Sequence, residues 1–418
     1  MIKKKFTIPA AYEANFVKKV KELAYAADPK PAVSMPVLLD FGKVRFWLAR
    51  NFGFCWGVEN AVEIAYKTLE QEKDKRVYLL SEMIHNPTVN EDLKRKGIQF
   101  LFETDGTPII PLSTLTKEDV VIVPAFGASK DVVKELVEIG IDPKKYDTTC
   151  PFVTKVWKRG GKLAKSGHSL VIHGKHNHEE TKATFSQNAD ESPTVIVKNI
   201  EEAKALASCM LGEKTKAEFD ALFGHKCTPN FDPIIDLEHF GVINQTTMLA
   251  SETEEVMGIL KEAATKRFGS EKVAKHMANT KDTLCYATYE NQSATLELAK
   301  TNSDVAFVLG GYNSSNTMHL VEILEKSMAT YHIRDFAEIN GLETIQHFDQ
   351  WTHQIVETEN WAPTPKNQNP ITIALTSGAS CPDVLVDELI FGLLDLFDVE
   401  KPDFDGVVNL VTSQAQKV

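Results

Sequence analysis

Three cysteines stand in matching contexts: Cys55 in "GFCWGVENA", Cys150 in "DTTCPFVTKV" and Cys285 in "DTLCYATYENQ". Each precedes a helical pattern. Each also stands 30, 28 or 30 residues ahead of a polar loop, carrying His85, His178 and Ser315 respectively. Helix N-termini present unpaired N–H groups, which favour anions and lower a thiol's pKa. If three such units pack about one centre, three thiolates meet there, and their repulsion calls for a cation. Zinc with three protein ligands and an open position is one answer. An iron–sulfur cluster is another, because three thiolates on a [4Fe–4S] cluster leave one iron open to substrate. There is no CxxC pair, so the common zinc-ribbon and ferredoxin spacings are excluded. Cys209, Cys227 and Cys381 read as small buried hydrophobes.

The strand ends near these cysteines are polar. His85, His178, Glu180, Thr246, Ser314, Ser315, Asn316 and Ser380 all fall in such loops. Histidine, serine and asparagine donors suit phosphate oxygens, and loop amides at helix starts add to the grip. Glu180 is the natural proton source, a role that needs burial or a nearby anion to keep the acid protonated. Taken singly, Thr246, Ser315 and Asn316 read equally well as turn residues or helix caps. Their joint occurrence with the cysteines is what points to a site. Met318 and His319 read as helix packing and surface.

The elements that must position these residues repeat. "VRFWLA" (44–49) reads as a strand, followed by the Cys55 loop, a helix over about 58–70, the strand "RVYLLSE" and the loop "IHNPTV". The Cys150 unit continues through "HSLVIHG" to "KHNHEETKAT", and the Cys285 unit through "DVAFVLGGYNSSN". Each unit closes on a strand, a small-residue loop and a helix: "VIVPAFGASKDVVKEL", "GVINQTTMLASETEEVMGIL" and "ITIALTSGASCPDVLVDELI". Alternation at this spacing predicts α/β units with mainly parallel sheets and ligand loops at the strands' carboxyl ends. The expected division is an extension over 1–44, α/β domains over 45–145, 146–280 and 281–400, and a tail over 401–418 whose "GVVNLVT" run is a candidate strand. Residues 209–238 and 336–370 break the repeat and read as outward insertions. The second, rich in Pro and Asn, reads as loop.

The bulk numbers set limits. The 418 residues carry 46 Lys and Arg against 58 Asp and Glu, a formal net charge of −12. That argues against unaided nucleic-acid binding, which needs a basic footprint, yet leaves room for a small anionic ligand in a local pocket. Six sparse cysteines fit a reducing compartment. The lysine-containing N-terminus lacks an apolar core, and no stretch reaches membrane-span length, so a cytoplasmic protein is expected.

In their order, these motifs resemble the 4-hydroxy-3-methylbut-2-enyl diphosphate reductases, the family that closes the non-mevalonate isoprenoid pathway. "GFCWGVENA", "EMIHNPTV", "DTTCPFVTKV", "HNHEET", "NQTT", "CYATYENQ", "NSSN" and "SGAS" carry the likeness across most of 45–395. The resemblance implies a trefoil of three α/β domains around a [4Fe–4S] cluster held by Cys55, Cys150 and Cys285. It implies reductive removal of an allylic hydroxyl with two electrons and two protons, supplied through a ferredoxin or flavodoxin. Thr246 and Glu180 would order and protonate the hydroxyl end. His85, His178, Ser314, Asn316 and Ser380, with Ser315 as a further candidate, would hold the diphosphate. Where many family members place a diphosphate-binding histidine, this chain has Phe126 in "PAFGAS", which has no hydrogen bond to give. Ser129 and Lys130 are the candidates to replace it, and the expectation is an altered substrate grip with the chemistry intact.

Three other readings make different predictions. A three-cysteine zinc hydrolase would carry zinc, lack brown colour and need no reductant. An iron–sulfur sensor would hold a cluster without turnover, which the presence of Glu180 and Thr246 disfavours. An α/β protein with coincidental cysteines would hold no metal after anaerobic purification.

Overall fold

The computed structural model describes residues 6–29, 33–279, 283–364 and 369–402, and in it strands and helices alternate as the repeat predicts. The chain divides into two compact units. One comprises Met1–Glu63, His85–Glu91 and Tyr286–Val418, the other Ile64–Ile84 and Asp92–Cys285.

The first unit is built on a five-stranded sheet in the order Val37–Asp40, Val44–Leu48, Ile371–Ser377, Val305–Leu309, Thr330–Ile333. Only the first pair is antiparallel. Val305–Leu309 is buried along its whole length, as a parallel strand covered on both faces must be. Its core gathers Phe46, Phe307, Leu375 and Leu389.

The second unit holds two parallel sheets. One runs Gln99–Phe100, Val77–Leu79, Val120–Ile122; the other runs Thr194–Val197, Ser169–His173, Phe240–Asn244, Met277–Ala278. The architecture is therefore α/β with mainly parallel sheets. Among the described residues no helix is long and apolar enough to cross a membrane.

Several expectations need correction. The extension over 1–44 packs into the core of the first unit. Its helix Phe16–Ala27 buries Phe16, Val17, Val20 and Ala24, which recur along one face. Asp387 caps its start, accepting from the N–H groups of Asn15, Phe16 and Val17 at 2.8 to 2.9 Å. Burying each of the larger side chains contributes about 1.5 to 3 kcal/mol. Residues 209–238 likewise add to the core. Phe219, Phe223 and Phe231 are fully buried, with Phe219 stacked on both others, and Phe219 and Phe223 belong to a helix that Thr215 and Glu218 start with a capping box.

Within 336–370, Ile339–Asn340, Thr344–Asp349 and Gln354–Glu359 form an antiparallel meander instead of a loop. Burial alternates along Gln354–Glu359, with Val356 and Thr358 half-buried, and its β-branched Ile, Val and Thr favour a strand that the flanking Pro and Asn obscured. His319 is buried rather than on the surface, with Nδ1 2.9 Å from Glu322. Met318 is buried, as helix packing requires. Cys209 and Cys381 are buried as expected, but Cys227 is only half-buried. The "GVVNLVT" tail lies outside the described residues.

Candidate active site

In the second unit the parallel sheet ends in three loops that meet through hydrogen bonds. Strand Ser169–His173 leads to His178, which caps helix Glu179–Asn188 by accepting the Glu180 N–H on Nδ1 at 3.2 Å. An imidazole that accepts on Nδ1 carries its proton on Nε2, where it can donate. Strand Phe240–Asn244 leads to Thr246. Its N–H donates to Glu180 Oε1 at 2.6 Å and its hydroxyl to Oε2 at 2.9 Å. Glu180 and Thr246 are 1% and 5% exposed, so this doubly bonded carboxylate is shielded from water. Cys285 is tied into the same loop, its N–H donating to the Thr246 carbonyl at 3.2 Å.

Cys150 begins helix Pro151–Lys165, with its N–H on the Ala125 carbonyl at 3.0 Å. Burial pushes its thiol up to about 11. The Phe152 N–H opposes this, while neighbouring Cys285 and Glu180 add to it. A thiolate here therefore needs a cation to compensate it. This donor set, two cysteines beside a carboxylate, fits a soft metal group and does not fit an isolated anion.

Phe126 lies edge-on to His178, ring centroids 5.7 Å apart. Neither expected substitute turns to that place. Ser129 caps helix Lys130–Ile139 by accepting the Val132 N–H, and Lys130 pairs with Asp190 at 3.3 Å.

In the first unit the "SGAS" loop is the organiser. The Ala379 N–H donates to Asn316 Oδ1 at 2.9 Å, the Cys55 N–H donates to the Ala379 carbonyl at 3.0 Å, and Ser380 Oγ donates to the His85 carbonyl at 3.0 Å. One loop thus links Cys55, His85, Asn316 and Ser380. Cys55 in turn starts helix Trp56–Gln71, accepting the Glu59 N–H at 3.0 Å.

Ser314 caps helix Ser315–Leu324 by accepting from the Thr317 N–H, and Ser315 is buried in its first turn. Asn316 Nδ2 is buried without a hydrogen-bond partner among the described residues, since its carbonyl oxygen is committed to Ala379. A buried unpaired donor is costly unless a ligand meets it. Glycine is required at 311, where a Cβ would stand 2.5 Å from the His85 carbonyl oxygen.

All the sequence-picked residues therefore fall into two groups. Cys150, Cys285, His178, Glu180 and Thr246 share one unit. Cys55, His85, Ser314, Ser315, Asn316 and Ser380 share the other. Sequence reasoning missed Gln245, whose Oε1 accepts from the Lys175 N–H and the Thr181 hydroxyl, both at 3.1 Å, and so fixes the turn before His178. Its position inside "NQTT" was the available signal.

Mainly parallel sheets whose strands end in cysteine- and histidine-bearing loops define an α/β protein. Residues 46–393 match the family model described as LytB protein. The chain belongs to that family and is an enzyme of it. It is 37% identical over 390 residues to the 4-hydroxy-3-methylbut-2-enyl diphosphate reductase of a Synechococcus species, covering 93% of this chain and 92% of that protein. It is 41% identical over 350 residues to the protein of the same name from Thermosynechococcus vestitus, covering 84% of each. The solved structure of the E-1-hydroxy-2-methyl-but-2-enyl-4-diphosphate reductase from Plasmodium falciparum matches with a TM-score of 0.60 at 22% identity. That match covers 84% of this chain and 88% of the other and is a likeness of fold.

Proposed function

We propose that this chain reduces (E)-4-hydroxy-3-methylbut-2-enyl diphosphate to isopentenyl diphosphate and dimethylallyl diphosphate in the cytoplasm. The allylic C–O bond breaks, a C–H bond forms and water leaves, so two electrons and two protons are consumed. The domains over 45–145, 146–280 and 281–400 form a trefoil that brings Cys55, Cys150 and Cys285 to a single [4Fe–4S] cluster. When bound, that cluster supplies Lewis acidity at the iron without a cysteine, and a route for electrons from a ferredoxin or flavodoxin.

The chain's own residues do the rest. Thr246 Oγ1 and Glu180 hold the substrate hydroxyl, and Glu180 delivers a proton as the hydroxyl departs. His178, donating from Nε2, and the free amide of Asn316 grip diphosphate oxygens together with His85, Ser314 and Ser380, while Ser315 adds a donor at the helix start. Burial of the carboxylate and threonine keeps competing water from the transferred proton.

The observation that carries this reading is the shielded Glu180–Thr246 pair beside Cys150 and Cys285, on a chain of the LytB family. The test is anaerobic purification with iron and sulfide analysis, followed by oxidation of a reduced dye in the presence of the allylic diphosphate. Four irons and four sulfides per chain with turnover are expected, and Cys150→Ser loses both. Protein that turns over free of iron overturns the reading.

A further inference from the structure

The opposite end of the second unit's sheet carries a separate cluster. His168, His239 and His276 each stand immediately before a strand: Ser169–His173, Phe240–Asn244 and Met277–Ala278. These strands are parallel neighbours in register, Ser169 opposite Phe240 and Phe240 opposite Met277. The ladder therefore aligns the three histidines across the sheet's N-terminal edge. Glu180 and Thr246 follow the C-terminal ends of the first two strands, a five-residue strand or about 17 Å away.

Two of these histidines are clasped reciprocally. His276 Nδ1 donates to the carbonyl of Glu238, the residue before His239, at 2.8 Å. His239 Nδ1 donates to the carbonyl of Lys275, the residue before His276, at 3.1 Å. Bonding Nδ1–H to a carbonyl fixes the tautomer and leaves the lone pair on Nε2, which is how metal-binding histidines are held. The rings lie nearly parallel at 4.8 Å, and Phe268 stacks behind His276. The Glu238 carboxylate makes no hydrogen bond or ion pair among the described residues. The ligand atoms of Glu238, His239 and His276 all lie within 4.8 Å of one another.

We propose that Glu238, His239 and His276 form a binding site for one divalent transition-metal ion of the zinc class. Two imidazole nitrogens and a carboxylate oxygen are a borderline donor set that suits zinc, nickel and copper over magnesium or calcium. Bonds of about 2.0 to 2.2 Å draw the ligands closer than they stand, which the exposed Glu238 and His239 side chains reach by small torsional shifts toward the half-buried His276. Water completes the fourth position. The ion bridges the start of Phe240–Asn244 to the edge strand Met277–Ala278, which leads on toward Cys285.

The probe is zinc chloride, titrated calorimetrically into the anaerobically purified holoprotein after a brief chelator wash. The parent takes up one zinc equivalent that H239Q/H276Q does not, and E238Q binds that equivalent at least tenfold more weakly. His168→Gln, one strand further along, leaves its affinity within threefold. Zinc at 100 times Kd lowers the unfolding constant of the parent about 100-fold, and that of the double variant not at all. Circular dichroism and gel filtration establish that the variants are folded. Equal zinc uptake by the parent and the folded double variant overturns the proposal, as does a loss in His168→Gln matching theirs.

Discussion

Thr246→Val tests the hydroxyl that orders Glu180, the proposed proton donor, with almost no change of shape. Valine keeps the backbone N–H that reaches Glu180 Oε1 at 2.6 Å and removes the hydroxyl that reaches Oε2 at 2.9 Å. The site is buried, so water does not readily take the lost donor's place. A hydrogen bond to a charged group is worth about 1.5 to 3 kcal/mol, which is roughly 10- to 150-fold in rate if it acts in the transition state. The assay is steady-state oxidation of a reduced dye with the allylic diphosphate, normalised to iron content so that a loss of cluster is not read as a loss of catalysis. The expected outcome is a fall in kcat of that size with cluster content unchanged, and Thr246→Ser recovering most of the rate. A valine variant within twofold of the parent at full cluster loading would refute the reasoning, because the hydroxyl would then do no work in the reaction.

Gly311→Ala places a Cβ 2.5 Å from the His85 carbonyl oxygen, where ordinary contact begins at 3.4 Å. The backbone carrying His85 must move by close to an ångström, so kcat/KM should fall about 100-fold in the same assay. His332 is buried, and desolvation lowers its pKa from 6.5 to about 4 despite a hydrogen bond to the Gly310 carbonyl. The unfolded chain therefore binds this proton at higher pH than the folded one, and stability falls as pH drops from 6.5 toward 4. The loss is about 2 kcal/mol by pH 5 and about 3 kcal/mol below pH 4. Denaturant midpoints of the parent and His332→Gln across that range should converge as pH falls. Phe126→His should tighten substrate binding, as the ring already stands beside His178. A direct titration showing unchanged affinity would count against a diphosphate role for that position.

Much of this was legible in order and spacing. The cysteines, the polar strand ends and the α/β alternation are local patterns, and local patterns survive in a one-dimensional string. The errors had physical causes. The Phe16–Ala27 helix reads as an appendage because nothing near it in sequence discloses that Asp387, 370 residues away, caps its start. The 354–359 strand was hidden by its neighbours' composition, since Pro and Asn mark the turns around a meander as readily as they mark a loop. Gln245 was overlooked because its work is to brace another loop, and bracing shows only when both loops are in place.

The sequence by itself determined which side chains are available for chemistry and that each stands at the end of a strand or the start of a helix, because dihedral preferences and hydrophobic period act over a few residues. Only the tertiary structure decided that both Thr246 donors fall on one Glu180 carboxylate, that a single loop reaches Cys55, His85 and Asn316, and that three histidines align along one sheet edge. Those facts depend on strand order and register. Strand order and register are fixed by packing between segments far apart in the chain, where sequence distance carries no information about spatial distance.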